Sequence, residues 1–214
     1  MPDMTLERKH GKLTAGCDEA GRGSWAGPIV AAAVILPENI LLPGVDDSKK
    51  VNKKDHRKLA ELILKKAVSV GIGVAGNDFI DQKGIQYANR YVIQKAVEDL
   101  NICPHFLLID GGPQQRIDID IPQEEIPKGD QKSLSIAAAS IIAKAVHDEL
   151  MKQYAEEFPQ YHWEHNAGYG SMDHRYAMNQ CGPCKYHRFS FKPVMDAAYR
   201  QIPEFKKLYE EGLL

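Results

Sequence analysis

Residues 133–158, SLSIAAASIIAKAVHDELMKQYAEEF, restrict the chain to a narrow set of folds. The run reads as one long helix that is unusually rich in small residues at its start. Such a face lets a helix lie close against a sheet or another helix. The sequence also supplies strands for that role. KLTAGC (12–17) reads as a short strand, IVAAAVIL (29–36) and VGIGVAG (70–76) as buried ones, and FLLID (106–110) as a strand ending on an acid. Between them, residues 52–69 place Leu59, Leu62, Ile63 and Ala67 at helical spacing, with Asn52 as N-cap, and residues 85–100 form a second amphipathic helix. Segments 172–180 and 193–210 add further helices. Strands first, then helices alternating with strands, imply an α/β sheet with helical cover and a helical C-terminal part.

Composition narrows the functional classes. With 214 residues, 43% of them hydrophobic, the chain can build one sizeable core. A net charge of −2 argues against a protein that binds nucleic acid by bulk charge and leaves room only for a local basic patch. The N-terminal MPDMTLERKHGKL has no apolar signal region, and no apolar run approaches the ~20 residues of a membrane span. Four cysteines do not make a disulfide scaffold, so a soluble protein of the reducing cytoplasm is expected.

The chemistry is carried by acids at strand edges. In AGCDEAGRGSWAGP (15–28), Asp18 and Glu19 stand side by side between a strand and a glycine-rich loop. Asp110 ends the strand in LLIDGGP, and Asp130 in PKGDQKS precedes the long helix. Singly, each has an ordinary reading: a solvated turn, a strand-to-turn junction, a helix start. If they converge on the sheet's rim, where ligands of α/β sheets bind, they cannot all ionise unpaired. Divalent cations resolve the conflict, and hard Mg²⁺ or Mn²⁺ suits an all-oxygen set. Two such ions are the usual device for in-line displacement at a phosphodiester.

In order, AGCDEAGRGSWAGPIVAAAVIL, DDSKK, IDGG, KGDQKSLSIAAASIIAKAVHDELM, NAGYGS and GPCKYHRFSFKPV resemble the ribonuclease HII family, the type 2 ribonucleases H, from about residue 12 to residue 195. The resemblance implies a ribonuclease H-like fold, a central mixed β-sheet flanked by helices. Residues 1–160 would form the catalytic domain and 161–214 a helical segment packed on it as one continuous unit. The implied activity is metal-dependent endonucleolytic cleavage of the RNA strand in RNA–DNA hybrids. It includes nicking 5′ of a single ribonucleotide in duplex DNA, leaving 3′-hydroxyl and 5′-phosphate ends. By the same resemblance Asp18, Glu19, Asp110 and Asp130 are the catalytic, metal-binding acids for two Mn²⁺ or Mg²⁺ ions. Gly21, Arg22, Gly23 and Tyr169 would read the ribose 2′-hydroxyl. Lys49 and Arg188 would contact phosphate, with Lys50, Lys53, Lys54, Lys185, His187 and Lys192 as basic neighbours. The partners implied are RNA–DNA hybrids and ribonucleotide-containing DNA, with no membrane, and a monomer is expected. The C-terminal FKKLYEEGLL carries no convincing sliding-clamp peptide. The sibling ribonuclease HIII normally has an additional N-terminal domain, which is not expected here with about a dozen residues before the first strand.

The chain departs from the family's usual pattern at Ala167, where a lysine precedes Gly-Tyr-Gly, at Val146-His147, usually threonine-arginine, and at Ser24-Trp25, usually proline-leucine. The missing lysine is expected to shift affinity or salt sensitivity and not the chemistry. Four rival readings compete. CGPC (181–184) is the dithiol motif of thiol-disulfide oxidoreductases, yet it follows a helical pattern instead of opening a helix, as thiolate stabilisation requires. Cys181, Cys184 and His187 could bind zinc but lack a fourth ligand of convincing spacing. HWEHN (162–166) is not the zinc-protease pattern, so structural histidines are expected there. A non-catalytic nucleic-acid-binding module would not need four acids that repel phosphate.

Overall fold

The computed structural model describes residues 2–45 and 53–213. At its centre lie β1 (Thr14–Ala20), β2 (Ile29–Ile35), β3 (Ser69–Ala75), β4 (Phe106–Asp110) and β5 (Gln123–Ile126), in the order β3-β2-β1-β4-β5. β1, β2 and β3 pair antiparallel, whereas β4 runs parallel to β1 and β5 parallel to β4. The sheet is therefore mixed, as expected, and β1 sits where the parallel and antiparallel halves join.

Burial of both faces explains why β2 is apolar throughout. Ile29, Ala31, Ala33 and Ile35 point into the core shared with α4 (Ile85–Glu98), while Ala32 and Val34 point the other way, toward α5 (Leu134–Glu157). Alanines thin the sheet enough for both helices to approach. Contact is closest at Gly16, where a Cβ would lie 2.3 Å from the backbone nitrogen of Ile136. The small residues at the start of α5 thus seat that helix directly on β1.

Three short helices precede α5 in the chain besides α4: α1 (Thr5–His10), α2 (Lys53–Lys66) and α3 (Asn77–Lys83). The sequence reading missed α1, which ties down the start of α5. Buried Glu7 accepts hydrogen bonds from the Ser133 hydroxyl at 2.6 Å, the Ser135 hydroxyl at 2.7 Å and the Ser135 N–H at 2.8 Å. Ser133 also caps α5 by accepting from Ile136 N–H. The N-cap expected at Asn52 lies outside the described residues.

Beyond α5 come α6 (Trp163–Asn166), α7 (Met172–Cys181), α8 (Lys192–Gln201) and α9 (Pro203–Glu210). They close a second core in which Tyr161, Trp163, Met178 and Val194 pack with Met151 of α5 and Ala26 of the loop after β1. The single terminal helix expected over 193–210 is two helices, because Pro203 cannot continue the hydrogen-bond ladder and starts α9 instead. Among the described residues no helix is long and apolar enough to cross a membrane.

Candidate active site

Asp18 and Glu19 do not occupy a turn; both belong to β1, which runs on to Ala20. Successive strand residues face opposite sides of a sheet. Asp18 accordingly turns to the α5 side, where Ser140 hydrogen-bonds its carboxylate, and Glu19 to the α4 side, where Asn89 does the same. The pair straddles the end of the sheet. Asp110 closes β4, the parallel neighbour of β1, and so arrives at the same rim.

Electrostatics records the convergence. Burial first, then the charges of Glu19 and Asp110, holds the Asp18 carboxyl well above the usual carboxylate range. Burial also raises Glu19; Arg22, whose guanidinium lies 3.7 Å away, opposes the shift and Asp110 adds to it. Asp110 is raised by burial, relieved by the Gly129 N–H at 2.5 Å, and raised further by Asp130. Asp130 itself lies in the short turn of helix Gly129–Gln131, half-buried, and shares one cavity of about 190 Å³ with Glu19, Ser140, Lys144 and Tyr169. The structure thus brings all four predicted acids to one rim, and Tyr169 lines the cavity that Glu19 and Asp130 share.

The donor set fits hard divalent cations. It is all oxygen, its members repel one another, and Glu19 Oε2 is buried without a hydrogen-bond partner among the described residues. Among those residues no three such groups already close on a single point. Asp18 Oδ1 accepts instead from the Glu19 N–H at 2.7 Å, and Asp110 Oδ1 from Gly129.

The glycine loop is more divided than its sequence suggests. Gly21 is buried at φ +81°, with His147 Nε2 only 2.3 Å from where a Cβ would stand. Gly23 is exposed, and its missing side chain faces the Tyr169 ring, whose Cε1 is 3.7 Å from the Cβ position. Tyr169 is 41% exposed, while its carbonyl is held by His174 Nδ1 at 3.0 Å and Ser171 N–H at 2.7 Å. Gly23 and Tyr169 are exposed, whereas Gly21 is buried.

Arg188 corrects the sequence reading. It is fully buried and cannot reach a phosphate, because its guanidinium is consumed by the carbonyls of Gly21, Arg22, Gly27 and Pro28 at 2.7–3.0 Å. Of its expected basic neighbours, the two lysines stay exposed in surface ion pairs and the histidine does not. His187 is buried, Lys185 pairs with Glu157 at 2.5 Å, and Lys192 pairs with Asp196 at 3.0 Å. Lys49 and Lys50 lie outside the described residues. At the Ala167 departure the side chain is buried, in a left-handed conformation, and the carbonyl accepts from Ser24 Oγ.

Zinc finds no support at Cys181, Cys184 and His187, since His187 Nδ1 accepts from Cys184 N–H and its Nε2 lies 3.0 Å from His174 Nε2. The dithiol reading fares no better. Cys181 ends α7 instead of opening a helix, and burial pushes the Cys184 thiol up to about 11. Sequence reasoning overlooked Ser140, Lys144 and Asn89. Ser140 and Lys144 were visible as polar interruptions one turn apart in an apolar run, but Asn89 gave no signal.

Comparison with known proteins gives the family and the fold. The family model described as Ribonuclease HII matches residues 15–194. Ribonuclease HII of Lactobacillus delbrueckii subsp. bulgaricus is 49% identical over 186 residues, covering 87% of this chain and 72% of its own. In fold, the chain is similar to ribonuclease H2 from Pyrococcus horikoshii OT3, with a TM-score of 0.75 at 22% identity over 91% of this chain and 99% of the other. Bst-RNase HIII, solved in complex with Mn²⁺, gives a TM-score of 0.69 at 20% identity, covering 94% of this chain and 74% of its own.

Proposed function

The chain belongs to the ribonuclease HII family and is a ribonuclease H endonuclease; from that premise we propose that it cleaves the RNA strand of RNA–DNA hybrids and nicks duplex DNA 5′ of a single embedded ribonucleotide. The observation that carries the reading is the convergence of Asp18, Glu19 and Asp110, whose carboxyls are all raised, beside the cavity that Glu19 and Asp130 share with Tyr169, whose ring faces Gly23. Asp18, Glu19 and Asp110 would hold two divalent cations, Mn²⁺ or Mg²⁺, with Asp130 completing the site. When bound, such ions supply an activated water and stabilise the leaving 3′-oxygen.

The remaining work falls to the chain. Gly23 admits the sugar because it has no side chain to exclude it. The Tyr169 ring offers a face to stack on and a hydroxyl to hydrogen-bond, which suits inspection of a 2′-hydroxyl. Arg22 sits beside Glu19 and limits the net negative charge that an incoming phosphate meets. Ser140 and Asn89 would favour the ionised carboxylates of Asp18 and Glu19 from opposite faces of the sheet.

The test is a labelled DNA duplex containing one ribonucleotide, incubated with Mg²⁺, with Mn²⁺ or with chelator. Cleavage at the ribonucleotide only in the presence of metal, giving a 3′-hydroxyl, is expected. Its absence with both metals would overturn the proposal.

A further inference from the structure

Behind the two walls of the proposed ribose site runs a buried hydrogen-bonded relay whose proton positions follow from its geometry. The Cys184 backbone N–H donates to His187 Nδ1 at 2.9 Å, so that nitrogen carries a lone pair. The Trp163 indole, which can only donate, gives its proton to His174 Nε2 at 3.2 Å, so that nitrogen also accepts. The contact of 3.0 Å between His187 Nε2 and His174 Nε2 then has one solution, with the proton on His187. His174 keeps its own proton on Nδ1 and donates it to the Tyr169 carbonyl at 3.0 Å. Both rings are neutral in this scheme, and burial agrees, holding His174 below the usual imidazole range and His187 down at about 3.

The next residue in the chain acts on the opposite wall. Arg188 NH2 donates to the Gly21 carbonyl at 2.7 Å and NH1 to the Arg22 carbonyl at 3.0 Å. The same segment is pinned from the loop side, because Arg188 N–H donates to the Trp25 carbonyl and Gly27 N–H to the Tyr186 carbonyl, each at 2.8 Å. One dipeptide therefore reaches both walls, His187 through His174 to Tyr169 and Arg188 directly to the Gly-Arg-Gly loop.

We infer that His187 and Arg188, with His174, are positioning residues that set the gap between Gly23 and Tyr169, and that this gap determines discrimination for ribose over deoxyribose. The inference rests on the ribose-reading role proposed above for those walls. A brace of this kind acts on the sugar-specific part of binding and leaves phosphate contacts, which supply affinity for any duplex, untouched.

Two measurements test it. The first uses the wild-type protein and no substrate: long-range ¹H–¹⁵N spectra of the imidazoles should show His187 protonated at Nε2 and His174 at Nδ1. The opposite tautomer at either ring would overturn the relay. The second measures Kd for a duplex with one ribonucleotide and for its all-DNA counterpart, with Ca²⁺ present in place of an activating ion. In His174→Ala and Arg188→Lys, the ratio of the two constants should fall about tenfold toward unity while all-DNA affinity holds. His174→Asn, which keeps a donor near the Nδ1 position, should recover most of the ratio. Unchanged ratios in cooperatively folded variants would show the segment to be merely structural. A wild type that does not distinguish the two duplexes would instead overturn the ribose-reading role itself.

Discussion

Asp18 and Glu19 are adjacent in the chain yet lie on opposite faces of the sheet, one against Ser140 of α5 and the other against Asn89 of α4. Their placement at the end of a strand lets two carboxylates share a rim without sharing a side. Asp110, from the neighbouring parallel strand, brings the third charge within reach of both.

Replacing Asp110 with Asn should lower the cleavage rate by at least about 10²-fold, the cost of losing one preorganised electrostatic group. The fold should persist, since Asn still accepts from the Gly129 N–H. Circular dichroism and the single-ribonucleotide nicking assay together check this, and retained activity would remove Asp110 from the site.

Asp18 should weaken the metal-free protein as pH rises. In the unfolded chain an Asp ionises near pH 4, whereas in the fold its proton is held to higher pH. The penalty is therefore absent below about pH 4 and grows as pH climbs toward the raised value. In chelator at pH 7, Asp18→Asn should melt roughly 2–4 °C or more above wild type, the shift that 1 kcal/mol gives in a chain of this size. The difference should vanish near pH 4. A variant that melts lower than wild type at pH 7 would contradict the acid repulsion.

Gly21→Ala should destabilise by two separable causes. The left-handed backbone costs a side chain about 1–2 kcal/mol, and the clash with His147 adds about 1–3 kcal/mol. Denaturant titration of Gly21→Ala in the wild-type and His147→Ala backgrounds separates them. The second background should lose the His147 clash and retain the backbone cost together with the 2.8 Å approach of the Cβ to the Pro28 carbonyl.

Glu7→Ala should cost about 1.5–3 kcal/mol, because it strands two serine hydroxyls and a backbone N–H at the start of α5. The folded variant should cleave at the wild-type rate, since Glu7 lies outside the acid cavity. Thermal melts and the nicking assay separate the two effects.

Cys181→Ser with Cys184→Ser should leave cleavage unchanged, and the wild type should show no dithiol-dependent disulfide reduction. A thiol held near 11 presents almost no thiolate at neutral pH. Turnover in an insulin-reduction assay would reopen the redox reading.

The elements that build the sheet were legible because both periodicities are strong: β2 is apolar on two faces, and α5 announces its close packing through small residues. β5, QEEI, was not legible, since three of its four residues are polar and it forms the edge beyond β4. The strand read over 12–17 stopped short of the acids, because two consecutive carboxylates carry no β-propensity and it is the antiparallel neighbour β2, pairing Asp18 with Ala32 and Glu19 with Ala31, that keeps them in the ladder. The acids could be identified by motif order alone. Asn89 could not, because a polar residue on a helix reveals its target only when the sheet's end is known. Arg188 was misjudged for the opposite reason: an arginine among aromatics reads as a surface cation until its four carbonyl partners are seen.

The bond between Glu7 and Ser133 also imposes an order of events during synthesis. The two residues are separated by 126 positions, so a ribosome adding roughly 5–20 residues per second makes Glu7 roughly 6–25 s before its partner exists. The hairpins of β1, β2 and β3 can pair within that interval, whereas the Glu7 carboxylate of α1 still lacks its serine partners. Met4, buried against the core that α5 completes, waits with it. The first helix translated is thus among the last to dock, and its docking signals that the long helix beneath the acids is in place.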